Sequence, residues 1–228
     1  GNPIEKGGFN GYMSKYEITN DQFCTFLNQA LDANDIYLDG ENVMSATGQY
    51  SNQPLYDLSG SGLTFDNAVN GGAARINYNE NHFTVDNGFE NHPVTFVTWY
   101  GADAFAKYYG WRLPTEWQWQ AAADYNGQFN YGCGGNIDNT VANYLGSAHP
   151  EGTTELASWG EYGYGLCDIS GNVWEWTQSW YSNNQNFRVL RGGGWHSSGS
   201  YCRVTSRSSG TLTASSSHSG FRVVLDLK

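Results

Sequence analysis

At 228 residues and 25.2 kDa the chain has the length of one large or two small domains, and it can bury a sizeable core. Its formal net charge of −11 and isoelectric point of about 4.7 argue against nucleic acid and anionic membranes as partners, since both attract clustered Lys and Arg. Charged residues make up only 14% while 16% are aromatic, which indicates a loop-rich interior built on Trp and Tyr.

The four cysteines, Cys24, Cys133, Cys167 and Cys202, are spaced too widely for a zinc pattern. One or two disulfides and four unpaired thiols are both compatible with this spacing. No stretch resembles a transmembrane span, so we expect no membrane insertion. Few lysines and abundant Asn, Gly and Tyr favour a secreted or cell-surface location.

Regular structure is concentrated in the first 124 residues. A short strand is predicted at 13–18, and the capping box formed by Thr19 and Gln22 predicts a first helix whose apolar stripe begins at Phe23. Residues 35–72 are rich in Gly, Ser, Asn and Asp and are interpreted as a long irregular insertion. Partial alternation over 74–86 predicts a hairpin.

Two further helices follow. The second is predicted over 98–109 and is ended by Gly110, and the third begins after Thr115, where Gln118 completes another capping box. Beyond Asp124 regular signals fade into short strands and turns. No repeat period and no linker divides the chain, so we interpret residues 1–228 as a single α+β domain.

The segment Arg191–Arg222 combines rigid ends with a polar middle. Arg191-Gly192-Gly193-Gly194-Trp195 opens it and Gly220-Phe221-Arg222 closes it, so large aromatic anchors flank a run with ten serines and no carboxylate between His196 and Ser219. Such small side chains cannot form their own core. The run is either a surface that binds a ligand or a Ser-rich connecting loop.

Five ordered motifs resemble the formylglycine-generating enzyme family, also called the sulfatase-modifying-factor domain. They are spread along nearly the whole chain: Tyr16-Glu17-Ile18-Thr19-Asn20, His92-Pro93-Val94, the stretch 110–116 (GWRLPTE), the stretch 164–176 (YGLCDISGNVWEW) and Arg191–Arg222. The resemblance implies an irregular α+β, C-type-lectin-like fold over residues 1–228. It also implies two kinds of function, because the family contains copper(I)-dependent oxidases that convert a sulfatase cysteine to formylglycine and binding modules that lack this chemistry.

The position of the family's copper-binding cysteines distinguishes these functions. The two matching positions here are Ser197 and Cys202, and copper(I) prefers a pair of thiolates to a serine hydroxyl. His196 is adjacent and is the one alternative ligand. We therefore expect no bound copper, no catalytic residues at this degenerate pair, and a non-catalytic domain; the alternative is a copper-dependent oxidase that acts on sulfatase cysteines.

The resemblance also implies a calcium site in the segment 168–175. Its ligands would be the side chains of Asp168 and Glu175 and the backbone carbonyls of Gly171 and Val173, a set of hard oxygen ligands that suits calcium. The other interpretation is that Glu175 caps a turn or pairs with an arginine.

A non-catalytic relative would bind a protein or a small molecule through its C-terminal surface. Relatives of this kind include variable proteins of diversity-generating retroelements, in which the same stretch is mutagenised at adenines. The predicted ligand-binding residues are Trp195, His196, Ser197, Ser198, Ser200, Tyr201, Ser206, Ser208, Ser209, Thr211, Thr213, Ser216, Ser217 and His218. A third possibility is a module that packs its cleft against another domain of a longer chain.

Overall fold

The computed structural model describes residues 10–59, 73–147 and 152–227. Within these residues the chain forms three α-helices, which are Asn20–Asp32 (α1), Trp99–Tyr108 (α2) and Glu116–Ala123 (α3). Eleven short strands accompany them: Gly11–Met13 (β1), Ile36–Asp39 (β2), Asn42–Ser45 (β3), Pro54–Asp57 (β4), Ile76–Asn79 (β5), His82–Val85 (β6), Trp174–Trp180 (β7), Phe187–Arg191 (β8), Ser208–Thr211 (β9), Ser219–Gly220 (β10) and Val224–Asp226 (β11). The fold is of the predicted α+β class.

The three helices begin where the sequence predicts. At α1 the Thr19 side chain accepts a hydrogen bond from the Gln22 backbone N–H at 3.0 Å, and the Gln22 side chain accepts one from the Thr19 N–H at 3.0 Å. Thr115 and Gln118 form the same capping box at α3. Each box satisfies two backbone donors that a helix start leaves unpaired. The predicted helix starts are confirmed.

The segment after α1 is more regular than predicted. Strands β2, β3 and β4 form a three-stranded antiparallel sheet, so the interpretation of residues 35–59 as irregular is wrong. Polar turn residues obscured strands of only four residues each, which are too short to show a period. The rest of that prediction, residues 60–72, lies outside the described residues.

The predicted hairpin is confirmed as β5 and β6, which pair in antiparallel register from Ile76 opposite Val85 to Asn79 opposite His82. Glu80 and Asn81 form the two-residue turn with φ values of 49° and 60°, as the twist of a tight hairpin requires. The strand predicted over 13–18 is wrong in its bounds, since β1 ends at Met13 and pairs with β11 near the other end of the chain.

A four-stranded sheet with the order β10-β7-β8-β9 holds the C-terminal half. Strand β7 is central and runs parallel to β10 and antiparallel to β8, while β9 is an edge strand paired only with β8. The segment Arg191–Arg222 therefore leaves the sheet after β8, returns as the edge strand β9, and crosses to the opposite edge as β10. This path exposes its middle and buries its ends.

The larger hydrophobic core lies between the helices and the sheets. Phe105 of α2 contacts Phe23 of α1 with ring centroids 5.8 Å apart and Phe221 with centroids 5.3 Å apart. Phe221 is fully buried and Trp195 is 4% exposed, so both predicted anchors are buried. A smaller cluster packs Trp119 of α3 against Ile169 and Val204. All four cysteines are free thiols, which resolves the open choice against disulfides.

Candidate functional site

The two positions that match the family's copper-binding cysteines are both buried and both engaged within the protein. Ser197 Oγ accepts hydrogen bonds from the indole N–H of Trp174 at 3.0 Å and from the backbone N–H of Gly194 at 3.1 Å. The Cys202 side chain is fully buried. Gly193 packs against it so closely that a Cβ atom at Gly193 would lie 2.6 Å from Cys202 Sγ.

The Cys202 thiol is protonated at neutral pH. Burial raises its pKa to about 12, and the nearby Cys133 raises it further. A thiol is a much poorer metal ligand and nucleophile than a thiolate. The site therefore offers one hydroxyl, already engaged, and one neutral thiol.

The predicted ligand-binding residues divide by exposure. His196, Ser198, Ser200, Tyr201, Thr211 and Thr213 are exposed, and Ser206, Ser208, Ser209, Ser216, Ser217 and His218 are half-buried. Trp195 and Ser197 are buried and bond inward, Trp195 through its indole N–H to the Ser217 carbonyl at 3.0 Å. These two residues support the surface from below and do not form part of it. We call the other twelve residues the recognition face.

Several hydroxyls of the recognition face already bond to the protein. Ser198 and Ser200 share a hydrogen bond at 2.9 Å, and Ser206 Oγ donates to the Ser200 carbonyl at 2.8 Å. Among the described residues, no side-chain hydrogen bond is made by the hydroxyls of Ser208, Ser209, Thr211, Thr213 or Ser217. The free hydroxyls therefore cluster on β9 and the loop that follows it.

Two imidazoles meet at one side of the recognition face. The His196 and His218 rings lie 4.1 Å apart between centroids. Burial lowers the pKa of His218 to about 4, with His196 contributing, and burial also lowers the pKa of His196. Both imidazoles therefore accept a proton less readily than a solvent-exposed histidine, chiefly because burial disfavours the charged ring.

Glu17, Asp168, Glu175 and Arg222 form a buried group of charged side chains. Arg222 donates to both carboxylate oxygens of Glu175, at 2.7 Å and 2.9 Å, and both side chains are completely buried. The indole N–H of Trp119 donates to the same carboxylate at 2.8 Å. Arg222 also bonds three backbone carbonyls, so a single side chain ties β7 to the chain near β1.

The other two carboxylates of this group are less well compensated. Glu17 accepts from Asn172 Nδ2 at 2.8 Å and from the Val173 N–H at 3.3 Å, and burial together with Asp168 and Glu175 raises its pKa well above the ordinary value. Burial also raises the pKa of Asp168. Sequence reasoning missed Glu17 as a member of this group and Asn172 as its hydrogen-bond donor; the available signal was that each lies within one of the five family motifs.

The predicted calcium ligands fit this geometry in part. Asp168 Oδ2 accepts the Ala157 N–H at 2.7 Å, whereas its Oδ1 is buried and accepts no hydrogen bond from a described residue, which suits an oxygen ligand for a cation. Glu175 fits less well because Arg222 and Trp119 occupy its carboxylate. No three His, Cys, Asp or Glu side chains converge as a metal cluster in the described parts of the chain, so a cation there would depend on backbone carbonyls such as those of Gly171 and Val173.

No helix among the described residues is both long and apolar enough to cross a membrane.

The chain is similar to several known proteins. The serine/threonine-protein kinase Pkn1 of Chlamydia caviae is 35% identical over an alignment of 173 residues, which covers 68% of this chain and 27% of the kinase. The formylglycine-generating enzyme of Streptomyces coelicolor is 35% identical over an alignment of 170 residues, which covers 61% of this chain and 54% of the enzyme. The chain thus spans about a quarter of the first relative and about half of the second.

Among solved structures, variable protein 1 of Treponema denticola superposes with a TM-score of 0.58 and 24% identity over 63% of this chain and 74% of that one. This likeness shows the C-type-lectin-like fold. The sulfatase-modifying factor enzyme 1-like domain profile matches residues 3–227. The chain therefore belongs to the sulfatase-modifying factor, or formylglycine-generating enzyme, domain family.

Proposed function

We propose that this domain is a non-catalytic binding module, which recognises a protein or a small molecule through the recognition face. The observation that carries the proposal is the state of Ser197. Its hydroxyl is buried, is held by Trp174 and Gly194, and stands where the oxidases of the family place a copper-binding thiolate. Copper(I) chemistry needs two soft anionic ligands, and this position supplies neither softness nor charge.

A copper(I) titration of the wild-type protein beside Ser197→Cys tests the loss of catalysis. We expect no stoichiometric copper(I) binding by the wild type and tight binding by Ser197→Cys, because the variant restores the thiol pair with Cys202. Ser200→Cys is the matched control, since it adds one thiol at an exposed position of the same segment. Stoichiometric, tight copper(I) binding by the wild type, or its conversion of a sulfatase peptide cysteine to an aldehyde, would overturn the proposal in favour of the oxidase.

The composition of the recognition face supports a binding role. Hydroxyl-bearing and imidazole side chains there can donate and accept hydrogen bonds, and rigid aromatic anchors hold them from below. Strand β9 is an edge strand, so its outer side is open to a partner. We propose that the face tolerates diversification, as in variable proteins of diversity-generating retroelements.

A display library tests this tolerance directly. Randomising Tyr201, Thr211 and Thr213, all exposed, is expected to leave most clones folded and to yield binders to a test protein such as lysozyme. A matched library at the buried Trp195, Ser197 and Cys202 is expected to be largely unfolded. Equal loss of folding in both libraries would contradict a separable face. An adenine-rich template copy beside the coding DNA would identify natural diversification.

We also propose that calcium stabilises the domain at Asp168, together with the carbonyls of Gly171 and Val173 and the charge of Glu175. The buried, unbonded Oδ1 of Asp168 supports this assignment. A ligand that binds only the folded state stabilises it by about 2.7 kcal/mol at a hundred times its Kd, so the melting temperature should rise with calcium and not with magnesium. Asp168→Asn should abolish the rise, and an identical melting curve in calcium and in chelator would refute the site. A module of this kind suits a secreted or cell-surface protein.

A further inference from the structure

A cleft whose lining includes none of the twelve recognition-face residues contains three aromatic side chains. It lies between the start of α3 and the turn from β7 to β8, has a volume of about 630 Å³, and includes Trp117, Trp180 and Tyr181. This volume falls within the roughly 300–1,000 Å³ of small-ligand sites. Neither the copper positions nor the predicted calcium ligands line it.

The aromatic rings of this cleft are not used in packing against other rings. Most aromatic side chains of the protein make ring–ring contacts, but Trp117, Trp180 and Tyr181 make none with the described residues. Instead, the Arg188 guanidinium covers the Trp180 ring at 3.3 Å from its centroid, and Arg207 lies 4.9 Å from the Tyr181 centroid. Arginine stacking fixes the orientation of these two rings.

Polar groups around the rings are also unused. The indole N–H groups of Trp117 and Trp180 donate to no acceptor among the described residues, whereas the indoles of five other tryptophans, including Trp119 and Trp174, each donate one hydrogen bond. The exposed turn that borders the cleft adds the side-chain amides of Asn183 and Gln185.

The cleft is electrically balanced. Its single carboxylate, Glu116, has a side chain 4% exposed and binds the Arg207 guanidinium at 2.6 Å and 2.8 Å through both oxygens. No uncompensated charge remains among the lining residues to select an ion. Aromatic faces with unused amide and indole groups suit a neutral molecule that has both apolar C–H faces and many hydroxyls.

We propose that this cleft binds a neutral saccharide. The C–H face of a pyranose ring would lie on an aromatic ring, whose face carries partial negative charge, and its hydroxyls would bond the two indole N–H groups and the amides of Asn183 and Gln185. The assignment uses no metal ion, so binding should survive chelation. It does not rest on the proposed role of the recognition face.

Titration with neutral oligosaccharides, followed by tryptophan fluorescence, tests the proposal. The probes are cellotetraose, chitotetraose and mannotetraose, each with and without EDTA. We expect a saturable, EDTA-insensitive change in emission with at least one of them. Trp117→Ala should weaken that binding at least tenfold, and Trp117→Phe, which keeps a ring but removes the N–H, should weaken it less.

The controls separate this cleft from the recognition face. Tyr201→Ala removes an exposed ring of the face, 57% exposed, and should leave saccharide affinity within twofold of wild type. Circular dichroism and melting temperature verify that each variant folds. The proposal that this cleft binds a saccharide would be overturned if none of the three probes changes the emission. It would also be overturned if Tyr201→Ala abolishes the change and Trp117→Ala does not. Neither outcome affects the copper(I) test of the proposed function.

Discussion

Two arginine–glutamate pairs anchor the same C-terminal segment, but they differ in burial. Arg222 and Glu175 are both completely buried, and the arginine bonds three backbone carbonyls as well. Arg207 and Glu116 form an equally well-aligned pair, yet the Arg207 side chain is 37% exposed. The closing end of the segment is therefore locked into the core, whereas its middle is attached from outside. We therefore expect the closing end of the segment to tolerate substitution less well than its middle.

The largest expected effect is at the buried pair. Arg222→Met should destabilise the domain by about 3–5 kcal/mol, because it leaves the fully buried Glu175 carboxylate without its arginine partner and removes a donor from three backbone carbonyls. Chemical denaturation measures the change. Arg203→Met is the matched control, since Arg203 is exposed and makes one side-chain bond, to Tyr131 at 3.4 Å, and its cost should stay below about 1 kcal/mol. Equal losses of unfolding free energy in the two variants would show that the closing end of the segment is no more important for stability than its exposed middle.

The next effect concerns the glycine-rich opening of the segment. Gly193→Ala should cost about 1–3 kcal/mol, since the new Cβ would meet Cys202 Sγ at 2.6 Å and the residue has a φ of +79°. Gly135→Ala, where a Cβ has no atom within 4 Å, should be nearly neutral. The measurement is the melting temperature of both variants. A Gly193→Ala variant that melts at the wild-type temperature would mean that the glycine-rich opening is not rigid.

Acidification should weaken the side of the face that holds the two imidazoles. The pKa of His218 is about 4 in the folded protein and near 6.5 when unfolded, so the unfolded chain binds more protons between these values. The contribution of the neutral His218 ring to the free energy of unfolding is therefore fully present above pH 6.5, and it is lost as the pH falls towards 4. Because the ring is partly solvated, we expect a loss on the order of 1 kcal/mol from pH 7.5 to 5.5. The measurement is denaturation at both pH values, and His218→Gln should reduce the loss; an unchanged loss would assign it to other groups.

The smallest expected effects are on the exposed face. Thr213→Asn and Thr211→Ala should each change the free energy of unfolding by less than about 0.5 kcal/mol, since both side chains are exposed and neither hydroxyl bonds to the described protein. Denaturation curves that overlay the wild type would support a permissive face. A loss above 2 kcal/mol at either position would show that β9 contributes to stability in a way that exposure does not reveal.

The sequence by itself determined the features that depend on neighbouring residues. The capping boxes of Thr19 and Thr115, the tight turn at Glu80-Asn81 and the replacement of a thiol by Ser197 all depend on residues within a few positions of one another. Such interactions form in the same way wherever the segment lies. The ordered motifs were likewise enough to assign the family, which the match over residues 3–227 confirms.

Only the tertiary structure decided burial and pairing between distant residues. Arg222 bonds the carbonyls of Ser14 and Lys15 across more than 200 residues. It also pairs with the Glu175 carboxylate, for which the sequence had left open either a calcium ion or an arginine partner. Folding also divided a uniform run of serines into buried supports such as Ser197 and exposed sites such as Ser200. The aromatic cleft brings Trp117, Trp180 and Arg207 together from three separate segments. Contacts of this kind depend on how the elements pack, and no pattern along the chain records them.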